Sequence, residues 1–138
     1  MLYIYNTNPQ TVAADADIGF VTTGIQTGCT AVRNANNSAT ITRPGFYMVH
    51  FDADGAASAA AGDVSAQLTV NGIDVAGAEA TASSTAATDL VNIGFTAIIS
   101  VPPNACCNTS NVPAVVAVRN AGVAAEYSNA ALTITKIA

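Results

Sequence analysis

Val91-Asn92-Ile93-Gly94-Phe95-Thr96-Ala97-Ile98-Ile99-Ser100-Val101 alternates apolar side chains with small or polar ones along almost its whole length. Side chains two residues apart share a face of an extended strand. Within Asp89–Val101, therefore, Val91, Ile93, Phe95, Ala97, Ile99 and Val101 fall on one face, with Asn92, Gly94, Thr96 and Ser100 mostly on the other. A helix would scatter that apolar set around its circumference, so the stretch reads as a long, half-buried strand.

The same period recurs outward from it. Val64, Ala66, Leu68 and Val70 alternate with Ser65, Gln67 and Thr69, and Asn71-Gly72 follows, a pair whose tolerance of positive φ suits a two-residue hairpin turn. A partner strand is expected from Ile73 to about Thr81. Gly45–Phe51 starts after Pro44 and sets Tyr47, Val49 and Phe51 against Phe46, Met48 and His50. Weaker strands read at Ile18–Val21, Ile25–Val32, Ala39–Thr42, Val112–Arg119 and Ala130–Ile137, bounded by Gly, Asn or Pro. Ala56–Ala61 has helix propensity, but Gly55 and Gly62 bracket it and predict a loop. Ala76–Thr88, rich in Ala, Ser and Thr, predicts a strand end and an exposed loop. Eight to ten short strands without a helical stripe predict an all-β sandwich or jelly roll. Neither a linker nor a repeat divides residues 1–138, so a single domain is expected.

Composition narrows the function. The chain has 138 residues, 51% of them hydrophobic but only 6% aromatic, because about a fifth are alanine. Charged residues make up 9%, against roughly 25% in an ordinary soluble domain. With a net charge of -5 and four scattered basic residues (Arg33, Arg43, Arg119, Lys136), neither a nucleic acid nor an anionic membrane is an expected partner. Met1–Asn6 has no basic n-region and no apolar core, so export by a secretory signal is not expected. Cys29, Cys106 and Cys107 include no C-x-x-C spacing, and the one histidine, His50, is far from them in sequence, which predicts free thiols and no zinc. A vicinal Cys106-Cys107 bond or a crosslink through Cys29 is the alternative. Low charge and abundant apolar residues also predict that the chain covers part of its surface by association.

Taken in order, several elements resemble the trimeric jelly roll of tumour necrosis factor and of the globular heads of complement-type proteins. They are Asn6-Thr7 and Gln10-Thr11-Val12 leading to Ile18-Gly19-Phe20, then Ala39-Thr40-Ile41 before Pro44-Gly45-Phe46-Tyr47-Met48-Val49. Val64-Ser65-Ala66-Gln67-Leu68, Val70-Asn71-Gly72 and the closing Ala131–Ile137 continue the pattern across nearly the whole chain. The resemblance is to the version found in phage virion proteins and in heads of bacterial spore-surface filaments. It implies a TNF-like sandwich of about ten strands that assembles as a homotrimer, with one sheet packed around the threefold axis. There is no Gly-X-Y stalk of the collagenous members.

Candidate chemistry is sparse. His50, Asp52 and Asp54 share one parity, as a metal-binding edge would, but exposed carboxylates where a strand runs into a loop, beside a structural histidine, are the stronger explanation, and no metal is assigned. Asp15 and Asp17 read as turn residues, while Asp63, Asp74, Glu79, Asp89 and Glu126 are dispersed. No Gly-x-Ser-x-Gly elbow or phosphate-cradling glycine loop is present, and one histidine would have to serve any triad. No catalytic residue and no cofactor is expected. Tyr3, Tyr5, Tyr47 and Tyr127 could stack on sugars or bases, but Tyr47 reads as core, and Tyr3 and Tyr5 as residues that dock within the trimer or, as the lesser alternative, against a larger partner. The expected role is thus a bacteriophage virion accessory protein, a capsid decoration or head-fibre trimer assembled in the host cytoplasm. Its partner would be the major capsid or another virion protein, engaged through Leu2, Tyr3, Ile4 and Tyr5 as an added strand. The alternative is a trimeric head that recognises a host glycan or receptor through loops at Asp54–Gly62, Ala80–Thr88 and Asn104–Asn111.

Overall fold

A computed structural model describes residues 1–35, 37–103 and 113–138. These form eleven strands and no helix: β1 (Leu2–Asn6), β2 (Gln10–Val12), β3 (Thr22–Gln26), β4 (Ala31–Asn34), β5 (Ser38–Ile41), β6 (Gly45–Ala57), β7 (Gly62–Val70), β8 (Ile73–Ser84), β9 (Val91–Val101), β10 (Ala114–Asn120) and β11 (Ala125–Lys136). One sheet runs β3-β1-β11-β6-β9, with β2 beside β11, and the other runs β4-β5-β10-β7-β8. All named pairings are antiparallel. The fold is thus an all-β sandwich, with one more strand than the expected range because three-residue β2 counts separately.

Alternation builds the core. The inward set of β9, Ile93, Phe95, Ile99 and Val101, meets Tyr47, Val49 and Phe51 of β6 and Leu132 and Ile134 of β11 in one buried cluster. Phe51 packs edge-on against Phe20, with ring centres 6.3 Å apart and planes at 85°, a favoured aromatic geometry. Each fully buried side chain of this size stabilises by about 1.5–3 kcal/mol.

Four local expectations are corrected. Ile18–Val21 is not a strand. Ile18 and Phe20 are fully buried, while the backbone attaches at single points, Ile18 N–H donating to Val118 O at 2.8 Å. The Gln10 side chain holds Gly19 from both sides, Nε2 donating to Gly19 O at 2.9 Å and Oε1 accepting its N–H at 2.8 Å. Ile25–Val32 divides into the end of β3 and the start of β4, because the chain crosses there between the sheets. The loop expected from Asp54 begins only after Ala57. β6 continues through Gly55 because β11 pairs with it on one side (Tyr127 opposite Gly55) and β9 on the other (Val91 opposite Gly55). β8 likewise runs on to Ser84, paired with Gly62. Cys106, Cys107 and the loop expected at Asn104–Asn111 lie outside the described residues.

Candidate functional site

The outer face of the β3-β1-β11-β6-β9 sheet is graded along its strands. At one end Phe46 and Met48 of β6 and Ile98 of β9 stand outward, 51%, 36% and 64% exposed. Met48 and Ile98 are direct cross-strand partners. Beside them Tyr3 faces Ile25 of β3, itself half exposed, and Thr133 and Thr135 of β11 complete an uncharged surface. Tyr3 and Tyr5 form a tilted pair with ring centres 5.5 Å apart. Their rings lie over Gly24, where a Cβ would come within 2.7 Å of Tyr3 Cδ1 and 2.9 Å of Tyr5 Cε1, so Gly24 is the space that lets the rings lie down.

Farther along, the face becomes polar. His50 Nδ1 is 2.8 Å from Thr96 Oγ1, and Asn92 Nδ2 donates to Asp52 Oδ1 at 2.8 Å and to Asp54 Oδ1 at 2.9 Å. The parity read from the sequence is present, but an amide sits between the two carboxylates. Among the described residues, no group of three His, Cys, Asp or Glu side chains is placed to hold a metal ion. Past Asp54 a recess of about 240 Å³ is lined by Thr11, Ala57, Ser58, Thr88, Leu90 and Glu126. Its single carboxylate faces hydroxyls and apolar groups, with no histidine or lysine alongside.

The residues expected to bind a particle divide in two. Leu2 and Ile4 are completely buried, whereas Tyr3 and Tyr5 face out and are partly covered. β1 also has β11 on one side and β3 on the other, so it has no free edge with which to extend a partner's sheet. Strand addition at Leu2, Tyr3, Ile4 and Tyr5 is therefore corrected to, at most, side-chain contact through the two tyrosines. Asp15 and Asp17 lie where the chain passes β10, Asp15 N–H bonding Asn120 O at 2.8 Å. Burial raises the Asp17 carboxyl above its ordinary range, and Arg119 opposes that shift. Arg119 is shared with Asp74 through a 3.0 Å ion pair. Two hydrogen bonds from Thr85 hold the Asp89 carboxyl low. Asp15, Asp17, Asp74 and Asp89 are thus accounted for as local contacts or surface charges.

Sequence reasoning missed Phe46, Met48 and Ile98 as a group. The signal was there: large apolar residues on both parities of Gly45–Phe51, and two consecutive isoleucines in β9, place apolar side chains on both faces of a strand.

No protein-family model matches the sequence, and no curated protein matches it. Among solved structures, murine APRIL at pH 5.0 superposes with a TM-score of 0.70 at 8% identity, over 99% of this chain and 97% of that one. Eiger TNF from S. frugiperda superposes with a TM-score of 0.70 at 13% identity, over 99% of this chain and 91% of that one. At such identities the likeness is one of fold: the chain is a TNF-like jelly roll.

Proposed function

We infer that this chain is the protomer of a homotrimeric head that works by binding and building rather than by turning over a substrate. The observation that carries this reading is the uncharged strip of Phe46, Met48 and Ile98, extended by Tyr3 and Ile25, on the open face of one sheet. Apolar side chains standing together on a sheet face are stabilised when a second surface removes them from water. Other copies of the same face, arranged about a threefold axis, supply that surface through closed symmetry. Light scattering coupled to size exclusion should report close to three times 13.8 kDa. A monodisperse monomer at micromolar concentration overturns the reading.

The absence of catalysis is part of the proposal, supported by the chemistry of the face and recess. The one histidine is exposed beside a threonine, and the recess offers a carboxylate without a nucleophile-base pair, which acyl-transfer chemistry requires. The place proposed for the trimer is a bacteriophage particle, as a capsid decoration or head fibre whose partner is the major capsid or another virion protein. A charge-poor composition rich in Ala, Thr and Asn supports it. Detection of the protein in purified particles tests this part separately. Its absence there leaves the trimer standing and removes the virion.

A trimeric head that binds a host glycan or receptor is the second reading. It is favoured by the recess flanked by the segments around Ser58 and Thr88, since loops on a rigid scaffold commonly carry recognition. Glycan-array binding by the trimer, lost on Leu90→Asp, would favour it over a purely structural role.

A further inference from the structure

The two residues that turn β7 into β8 carry a reactivity of their own. Asn71 and Gly72 both hold positive φ, 52° and 79°, the combination of a two-residue type I′ turn. Both are exposed. An asparagine followed by glycine leaves the next peptide nitrogen unusually free to approach the side-chain amide carbon, because glycine has no Cβ in the way.

We propose that Asn71 is a deamidation site that the native turn holds unreactive and that reacts from the opened hairpin tip. In the reaction the Gly72 peptide nitrogen attacks Asn71 Cγ. A new N–C bond forms, the bond from Cγ to the side-chain nitrogen breaks, and ammonia leaves with the proton the peptide nitrogen gives up. Water then opens the resulting five-membered succinimide. Breaking the new bond gives aspartate at this position, and breaking the original peptide bond gives isoaspartate. No electron changes hands, and water is the only co-reactant.

Two features of the fold oppose the attack. The first central residue of a type I′ turn has ψ near about +30°, which places the Gly72 nitrogen across the Cα–C bond from the Asn71 side chain. Reaction needs rotation about that bond, which dismantles the turn. Independently, Asn71 Oδ1 accepts the Val115 N–H at 2.8 Å, while the Asn71 N–H donates to Val115 O at 2.8 Å. The side chain is thereby pinned to β10. Releasing it requires the tip to leave that strand, a local opening of the kind that surface hairpins undergo. The products then differ. An aspartate carboxylate still accepts the Val115 N–H, whereas isoaspartate adds a methylene to the main chain and loses the two-residue geometry, leaving a lasting record of an opening event.

The test incubates the purified native protein and the same chain unfolded in urea in warm, mildly alkaline buffer. Peptide mapping by mass spectrometry follows the amide-to-acid change at position 71. The native chain is expected to convert at least ~10-fold more slowly than the unfolded one. Through sub-denaturing urea its rate is expected to rise in parallel with hydrogen exchange of the Val115 amide. Equal rates in the native and unfolded chains overturn the proposal. So does a native rate that stays flat while Val115 exchange accelerates, or an unfolded chain that does not convert.

Discussion

Tyr127 is fully buried, and its hydroxyl lies 2.9 Å from Asn120 Oδ1 and 3.1 Å from Ser65 O. Asn120 in turn donates to Val12 O at 3.1 Å and Val123 O at 2.9 Å, tying the approach to β11 into the sheet. Burial pushes the Tyr127 pKa well above its ordinary value. A group whose folded pKa is raised lends stability that is complete below the unfolded pKa and declines as pH rises beyond it. Stability should therefore fall above a pH of about 10, the ordinary tyrosine value. Tyr127→Phe should cost about 1–3 kcal/mol near neutrality, since it strips buried acceptors of a donor, and should flatten the alkaline decline. Urea melts of both proteins from neutral to alkaline pH measure this, and parallel declines would assign the alkaline loss elsewhere. Other residues at this scale could not be read from their types. Ser65, Gln67 and Thr69 alternate like a solvent face, yet all three are buried. β7 is an interior strand, and its polar side chains find acceptors and hydroxyl partners there: Ser65 with Glu79 and Thr81, Gln67 with Leu68 O and Val75 O, Thr69 with Ala117 O. Alternation reports which residues differ in polarity, and burial depends on what neighbouring strands cover.

At the scale of elements, hydrophobic period fixed which segments extend, and pairing fixed where they stop. The Asn71-Gly72 hairpin and the alternating faces of β9 and the first half of β6 follow the sequence directly. The far half of β6 does not, because Asp54–Ala57 is extended only by virtue of β9 and β11 beside it. β1 makes the same point with larger consequences. Deleting residues 2–6 would remove Leu2 and Ile4 from the core and leave β3 and β11 without their common neighbour. Truncating even one such side chain costs about 2–5 kcal/mol. The deletion is therefore expected to abolish cooperative folding, which circular dichroism and thermal melts would register. A folded, cooperatively melting deletion protein would show that β1 is dispensable. The side chains suited to probing a docking role are the outward ones, and Tyr3→Ser with Tyr5→Ser should preserve the fold while weakening any contact made by that face.

Across the whole molecule, the decisive expectation is association through the graded sheet face. Ile98→Asp adds a charge at an exposed position, so the isolated protomer should tolerate it within about 0.5 kcal/mol. A trimer sealed by Met48 and Ile98 should instead dissociate, seen as a drop in mass by light scattering and loss of the concentration dependence of melting. A mutant that remains trimeric would place the interface elsewhere. Chelator with reductant is expected to leave the melting temperature nearly unchanged; a fall of more than about 10 °C, a few kcal/mol at this chain length, would reveal a metal or disulfide contribution. The sequence by itself determined the all-β class, the hairpin at Asn71-Gly72 and the inward set of the longest strands, because a two-residue period and turn chemistry are local properties of the chain. Only the tertiary structure decided that Phe46, Met48, Tyr3, Ile25 and Ile98 meet on one face, since they come from four strands whose adjacency is set by long-range pairing. Tertiary structure also decided that Leu2 and Ile4 are core, because burial is conferred by the opposite sheet.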